Sequence, residues 1–125
     1  MSASLCTVFE ADVPPHGTLG GDNPAVLRRQ RQLDQVAADS GLTPIVAYVS
    51  SDPGDYGGSR SKSPPAQWFT ASAGALAVRA LINHLTAHPN AVSSQADVLA
   101  ELVEIEKELA DAERAGVRFR FAVVS

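Results

Sequence analysis

The chain changes its hydrophobic period at a single glycine, Gly116, and this switch constrains the fold more than any other feature. Before it, residues 94–115 carry apolar side chains at helical spacing. After it, residues 117–124 alternate, with two phenylalanines on one face and two arginines on the other. The pattern predicts a long amphipathic helix that ends at Gly116 and leads into a β-strand. The apolar stripe of the helix consists of Val98, Leu102, Ile105, Leu109 and Ala112.

Four further elements precede this pair. The patterns predict strands over 4–13 and 44–50 and helices over 24–40 and 72–87, with Asp22 or Asn23 capping the first helix and Gly41 closing it. The run 44–50 is nearly continuously apolar, which is typical of a strand covered on both faces. The order β-α-β-α-α-β predicts one small α/β domain over residues 1–125, with a three-stranded sheet and helices mainly on one face. The first β-α-β unit predicts a right-handed crossover between parallel strands.

Composition narrows the class of protein. With 125 residues, of which 45% are hydrophobic and 19% charged, the chain is typical of one globular domain. The net charge of −4 argues against broad nucleic-acid binding. A single cysteine and the absence of a long apolar run favour a cytoplasmic protein that neither spans nor binds a membrane.

A glycine loop over residues 17–24 separates the first strand from the first helix. Backbone amides at such a junction can bind a phosphate or a nucleotide, and the candidate ligand-binding residues are Gly17, Gly20, Gly21 and Asn23. The spacing matches neither a P-loop nor a dinucleotide fingerprint. Asp22 also places a carboxylate where a phosphate would lie. The structural interpretation, a turn followed by a capped helix, is therefore preferred.

The histidines, the cysteine and the acidic residues of the last helix could bind a metal or act in catalysis, but each has a structural interpretation. His84 and His88 lie four residues apart on one helix face, but no third metal ligand is evident, so neither a metal nor a cofactor is expected. Cys6 lies in a strand and is interpreted as a small core residue. The acidic residues of the last helix are interpreted as a solvated face; they are Glu101, Glu104, Glu106, Glu108, Asp111 and Glu113.

Two regions are candidates for binding a partner. Residues 51–67 lack periodicity and are rich in Gly, Pro and Ser, which predicts a long flexible loop, and Arg60 and Lys62 lie within it. Arg118 and Arg120 are expected to emerge together on the face of the last strand opposite the phenylalanines, where they bind a partner or protect a sheet edge.

The sequence favours a non-catalytic protein-binding module, of an immunity-like or adaptor-like kind, with an unknown protein partner. The alternative is a small enzyme or a phosphate- or nucleotide-binding protein that uses the loop 17–24. A homodimer that covers the open sheet face is a third hypothesis. The stretch QWFTASAGALAVRALINHL, the acidic helix and GVRFRFAVV resemble small bacterial proteins, and this resemblance implies no site residue.

Overall fold

Three strands form one antiparallel sheet with β1 in the centre. The computed structural model describes residues 3–50 and 66–124. The strands are β1 (Ser4–Val13), β2 (Gly17–Leu19) and β3 (Phe119–Val124), in the order β2-β1-β3. β1 pairs with β3 from Ser4 opposite Val124 to Phe9 opposite Phe119. The predicted small α/β domain with a three-stranded sheet is confirmed.

The helices begin and end close to their predicted limits. They are α1 (Pro24–Arg28), α2 (Gln30–Ser40), α3 (Ala71–Ala87) and α4 (Gln95–Ala115). The first predicted helix is interrupted at Arg29, whose ψ of 15° lies outside helical values. Gly41 and Gly116 end their helices at φ of 71° and 69°, as predicted. Among the described residues, no helix is both long and apolar enough to cross a lipid bilayer.

The core lies between the helices and one face of the sheet. Phe9 and Phe119 are cross-strand partners on this face, and both are buried. α3 approaches them closely because residue 74 is glycine: a Cβ there would overlap the ring of Phe119. Tyr48 packs on the same aromatic group, with its ring centroid 5.5 Å from that of Phe119. These large rings explain why a sheet of only three strands can support a continuous core.

The apolar run 44–50 is not a strand, contrary to the prediction. Ile45–Tyr48 form one 3₁₀ turn, and only Val49 bridges to the sheet, opposite Phe121 and in the parallel sense. The backbone amides of Ile45 and Val46 lie near the carboxylate of Asp34 in α2 and lower its pKa, although burial raises this pKa overall. The predicted parallel crossover between residues 4–13 and 44–50 is therefore wrong.

The third strand comes from the glycine loop instead. β1 and β2 form a hairpin in which Val8 lies opposite Leu19 and Val13 lies opposite Gly17, with a shift in register between the two pairs. A short connection between adjacent strands requires the antiparallel sense. The loop 17–24 is therefore partly an edge strand, where the sequence predicted only a turn.

Candidate functional site

The glycine loop is covered by a carboxylate from α4. The backbone N–H of Gly21 donates to Oε2 of Glu108 at 2.8 Å. A Cβ built on Gly20 would lie 2.6 Å from both oxygens of the same carboxylate, so a side chain at this position would collide with Glu108. Gly20 also donates from its backbone N–H to the carbonyl oxygen of Thr7 at 2.8 Å. The close approach of Glu108 explains why residue 20 is glycine.

A second carboxylate from α4 caps the first turn of α1. Oε2 of Glu101 accepts from the N–H of Ala25 at 3.1 Å, and Oε1 accepts from the N–H of Val26 at 2.8 Å. Asn23 occupies the N-cap position as predicted, but its side chain does not cap the helix. Its amide donates instead to the carbonyl oxygens of Leu5 and Gly21. The helix therefore obtains its cap from 76 residues away in the chain.

A third carboxylate completes the arrangement. Oδ2 of Asp111 lies 2.8 Å from Nε2 of His16, just before β2. Glu101, Glu108 and Asp111 are seven and three residues apart, so they lie along one side of α4. We call these three side chains the α4 carboxylate row. It contacts three successive points along the chain, which are His16, Gly21 and the first turn of α1.

The interpretation of the acidic helix as a solvated face is therefore wrong for this row. Glu108 is only 6% exposed, and Glu101 and Asp111 are partly buried. Glu104 remains exposed and pairs with Lys107, as a solvated face predicts. Their position in the sequence indicates this burial: Glu101 and Glu108 each directly precede a buried leucine of the apolar stripe, so they border the core.

These contacts bear on the candidate ligand-binding residues. Gly17, Gly20, Gly21 and Asn23 lie in one segment before α1. The backbone amide of Gly21 already donates to the carboxylate of Glu108, and the amide of Val26 in α1 donates to that of Glu101. An external phosphate would have to displace one of these acids and overcome the repulsion of the others. Ligand binding here stays a prediction.

Cys6 is buried beside polar groups. Its side chain is 1% exposed, and its thiol donates to Asp22 at 3.6 Å. Burial raises the pKa of the Cys6 thiol, and the neighbouring Asp22 carboxylate raises it further by disfavouring a second negative charge. The thiolate, which is the nucleophilic form, is therefore disfavoured at neutral pH.

His84 lies in the last turn of α3, and His88 follows directly after this helix. The rings of His84 and His88 stack with centroids 4.2 Å apart. Nδ1 of His88 donates to the carbonyl oxygen of His84 at 2.9 Å, which occupies one ring nitrogen. Within residues 3–50 and 66–124, no group of three or more His, Cys, Asp or Glu side chains is placed to hold a metal ion.

Arg118 directly precedes β3 and Arg120 lies within it, and the two arginines differ in environment. Arg118 is 53% exposed, and its guanidinium contacts both carboxylate oxygens of Glu10, with Nε donating to Oε1 at 2.9 Å. This contact lowers the pKa of Glu10 and raises that of Arg118. Arg120 is 5% exposed, so the expectation that both arginines emerge to solvent is wrong for it.

Arg120 connects the sheet to the chain on both sides of residues 51–65. Its Nη1 donates to the carbonyl oxygen of Ser50 at 2.7 Å, and its guanidinium carbon lies 5.1 Å from the centroid of the Trp68 ring. The hydroxyl of Ser50 accepts from the N–H of Gln67 at 2.8 Å. The other two candidate partner-binding residues, Arg60 and Lys62, lie outside the described residues.

A groove of about 210 Å³ lies beside Arg118. It is formed by the first residues of α3 and by the chain segment that leaves α4, and Arg118 stands at the end of this segment. Its lining residues are Thr70, Ala71, Ser72, Ala112, Glu113, Gly116, Val117 and Arg118.

Comparison with known proteins identifies no relative. No protein-family model, no curated protein and no solved structure matches this chain.

Proposed function

We propose that this chain is a non-catalytic protein-binding module and that an acidic group of its partner contacts Arg118. The observation that carries the proposal is the position of Arg118, which is half exposed at the edge of a groove. Of the candidate partner-binding residues within the described chain, Arg118 is accessible and Arg120 is buried. Arginine is enriched in protein interfaces because its planar guanidinium can bind a carboxylate through two hydrogen bonds.

The ion pair with Glu10 is compatible with this role. Ion pairs between exposed side chains contribute little to stability, because water screens them and both side chains lose freedom. Arg118 can therefore exchange Glu10 for a partner carboxylate at low cost. The hydroxyls of Thr70 and Ser72 line the same groove and offer further hydrogen bonds to a polar partner group.

The acids, the histidine and the thiol near the loop 17–24, which an enzyme could use, form hydrogen bonds within the fold or are buried. Glu101 and Glu108 accept hydrogen bonds from backbone amides, and His16 contacts Asp111. Cys6 is buried, and its pKa is raised. These contacts favour a binding function over the alternative of an enzyme that uses the loop 17–24.

Two variants that break the same ion pair test the proposal. Arg118→Gln removes the guanidinium, whereas Glu10→Gln keeps it and removes only its internal partner. Each tagged variant and the original chain are used to capture proteins from a lysate of the source cells, with quantification by mass spectrometry. We expect a partner that Arg118→Gln loses and Glu10→Gln retains or enriches. Equal loss in both variants, or retention in both, would contradict a role for Arg118 in binding.

A further inference from the structure

The segment between β1 and α1 is fixed at both ends and weakly held between them. Val13 before it and Asn23 after it are buried. We call residues 16–22 the strap. Its strand β2 has only three residues and lies at the edge of the sheet, and Leu19 within it is 51% exposed. Little apolar surface therefore holds the strap in place.

Polar contacts hold the strap instead. Side-chain contacts join His16 to Asp111 and Asp22 to the Cys6 thiol, and the N–H groups of Gly20 and Gly21 donate to Thr7 and Glu108. The N–H of His16 also donates to the carbonyl oxygen of Val13, and the side-chain amide of Asn23 donates to the carbonyl oxygen of Gly21. Gly17 adopts a φ of 70°, a conformation that glycine reaches without strain and that lets the chain reverse at the start of β2. The shift in register between the pairs Val8–Leu19 and Val13–Gly17 further interrupts the hydrogen-bond ladder.

Two buried polar atoms next to the strap lack hydrogen-bond partners within the described part of the chain. They are Oε1 of Glu108, whose carboxylate lies against Gly20, and Oγ1 of Thr7, whose carbonyl oxygen accepts from Gly20. A buried polar atom without a partner destabilises the closed state, because water would satisfy it. Lifting the strap would admit water to the Glu108 carboxylate.

We propose that the strap opens as a local unit while β1, β3 and the four helices stay folded, and that it thereby controls access to the Glu108 carboxylate. Opening breaks the polar contacts named above and hydrates Glu108. It leaves Asn23 in place, because this residue is tied separately to Ser4 and Leu5. The same anchor keeps α1 attached to the sheet.

Native-state hydrogen exchange with increasing urea tests this inference on the full chain. We expect the amides of Gly20 and Gly21 to exchange at least ~100-fold faster than amides in the centres of α3 and α4, with little dependence on urea, since local opening exposes little surface. If the strap amides exchange at the rate of the helix centres and with the same urea dependence, the strap opens only on global unfolding and the proposal is wrong.

Two neighbouring glycines provide matched variants. In Gly20→Ala the new methyl group collides with Glu108, whereas in Gly21→Ala it lies 3.8 Å from Oε2 of Glu108, an ordinary contact distance. We expect Gly20→Ala to speed exchange of the strap amides by about tenfold or more without changing exchange in α4, and Gly21→Ala to change it by less than about threefold. Asp111→Asn weakens the His16 end of the strap, and also the exposed ion pair with Arg114 on α4, and it should also speed strap exchange. If Asp111→Asn and Gly20→Ala speed strap and helix exchange equally, the strap is part of the global folding unit and the proposal fails.

Discussion

Truncating Glu101 of α4 should destabilise the protein because this side chain caps a different helix, α1, which lies far away in sequence. In Glu101→Ala, the N–H groups of Ala25 and Val26 lose the carboxylate oxygens that accept from them at 3.1 and 2.8 Å. Both residues are buried, and the side chain of the N-cap residue Asn23 makes no hydrogen bond that could replace the lost acceptor. The change therefore leaves two donors without partners inside the fold.

The size of the effect follows from the cost of such donors. A buried donor that loses its acceptor costs about 1–3 kcal/mol. Two of them would cost about 2–6 kcal/mol, and water that enters the space left by the truncated side chain should reduce this to about 2–4 kcal/mol. Since a domain of this size is stable by about 5–15 kcal/mol, the variant should fold but with a much reduced free energy of unfolding.

Urea unfolding followed by circular dichroism measures this free energy. The matched control is Glu104→Ala, which makes the same truncation one turn further along α4, at an exposed residue paired with Lys107. Its free energy of unfolding should change by less than about 0.5 kcal/mol. Glu101→Gln keeps one acceptor oxygen and should fall between the two. If Glu101→Ala and Glu104→Ala unfold with the same free energy, the two amides find other acceptors and the reasoning about the α1 cap is wrong.

Three further predictions concern residues with distinct environments. The Cys6 thiol should react with a maleimide at least ~100-fold more slowly in the folded protein than in urea, and because burial raises its pKa, stability should fall as pH rises above the pKa of the unfolded thiol. In a carbon-13 NMR titration, Glu10 should lose its proton at a lower pH than an ordinary glutamate, and Arg118→Gln should abolish this difference. Arg120→Met should lower the free energy of unfolding in urea by about 1–3 kcal/mol, because the carbonyl oxygen of Ser50 loses its donor, whereas equal effects of Arg120→Met and Arg118→Gln would contradict the difference in their burial.

Local sequence pattern was sufficient for the elements whose period is clear. α3, α4, β1 and β3 lie within two residues of their predicted limits, because each carries a continuous apolar stripe or alternation. Gly41 and Gly116 end their helices where predicted, since only glycine adopts the left-handed conformation without strain. These are properties of neighbouring residues, and a single sequence contains them.

Contacts between distant residues decided the elements that were predicted wrongly. The run 44–50 has no period, so its apolar character fits a strand or a turn equally well. In the fold, Tyr48 of this turn packs on Phe69 and Phe119, which are distant in sequence. β2 consists of Gly, Thr and Leu, a sequence with weak strand preference, and it forms because β1 offers it an edge. The antiparallel sense of the β1–β2 pair then follows from this hairpin, which the sequence pattern did not indicate.

The pattern of the glycine loop indicates that a negative group lies beside its backbone amides, but it does not indicate where that group comes from. Exposed amides before a helix favour a negative group, and the sequence analysis considered a phosphate or a nucleotide as that group, as the alternative to a turn with a capped helix. In the folded chain, carboxylates at Glu101 and Glu108 occupy this role, although they lie 76 and 87 residues away from the amides they contact. Their approach depends on which side of α4 turns toward α1, and that is determined by the packing of α4 on α3 and the sheet. Gly20 then follows from the fold as much as from the loop, because only glycine leaves room for Glu108. A glycine a few residues before a helix can therefore indicate an anion supplied by the same chain as readily as one supplied by a ligand.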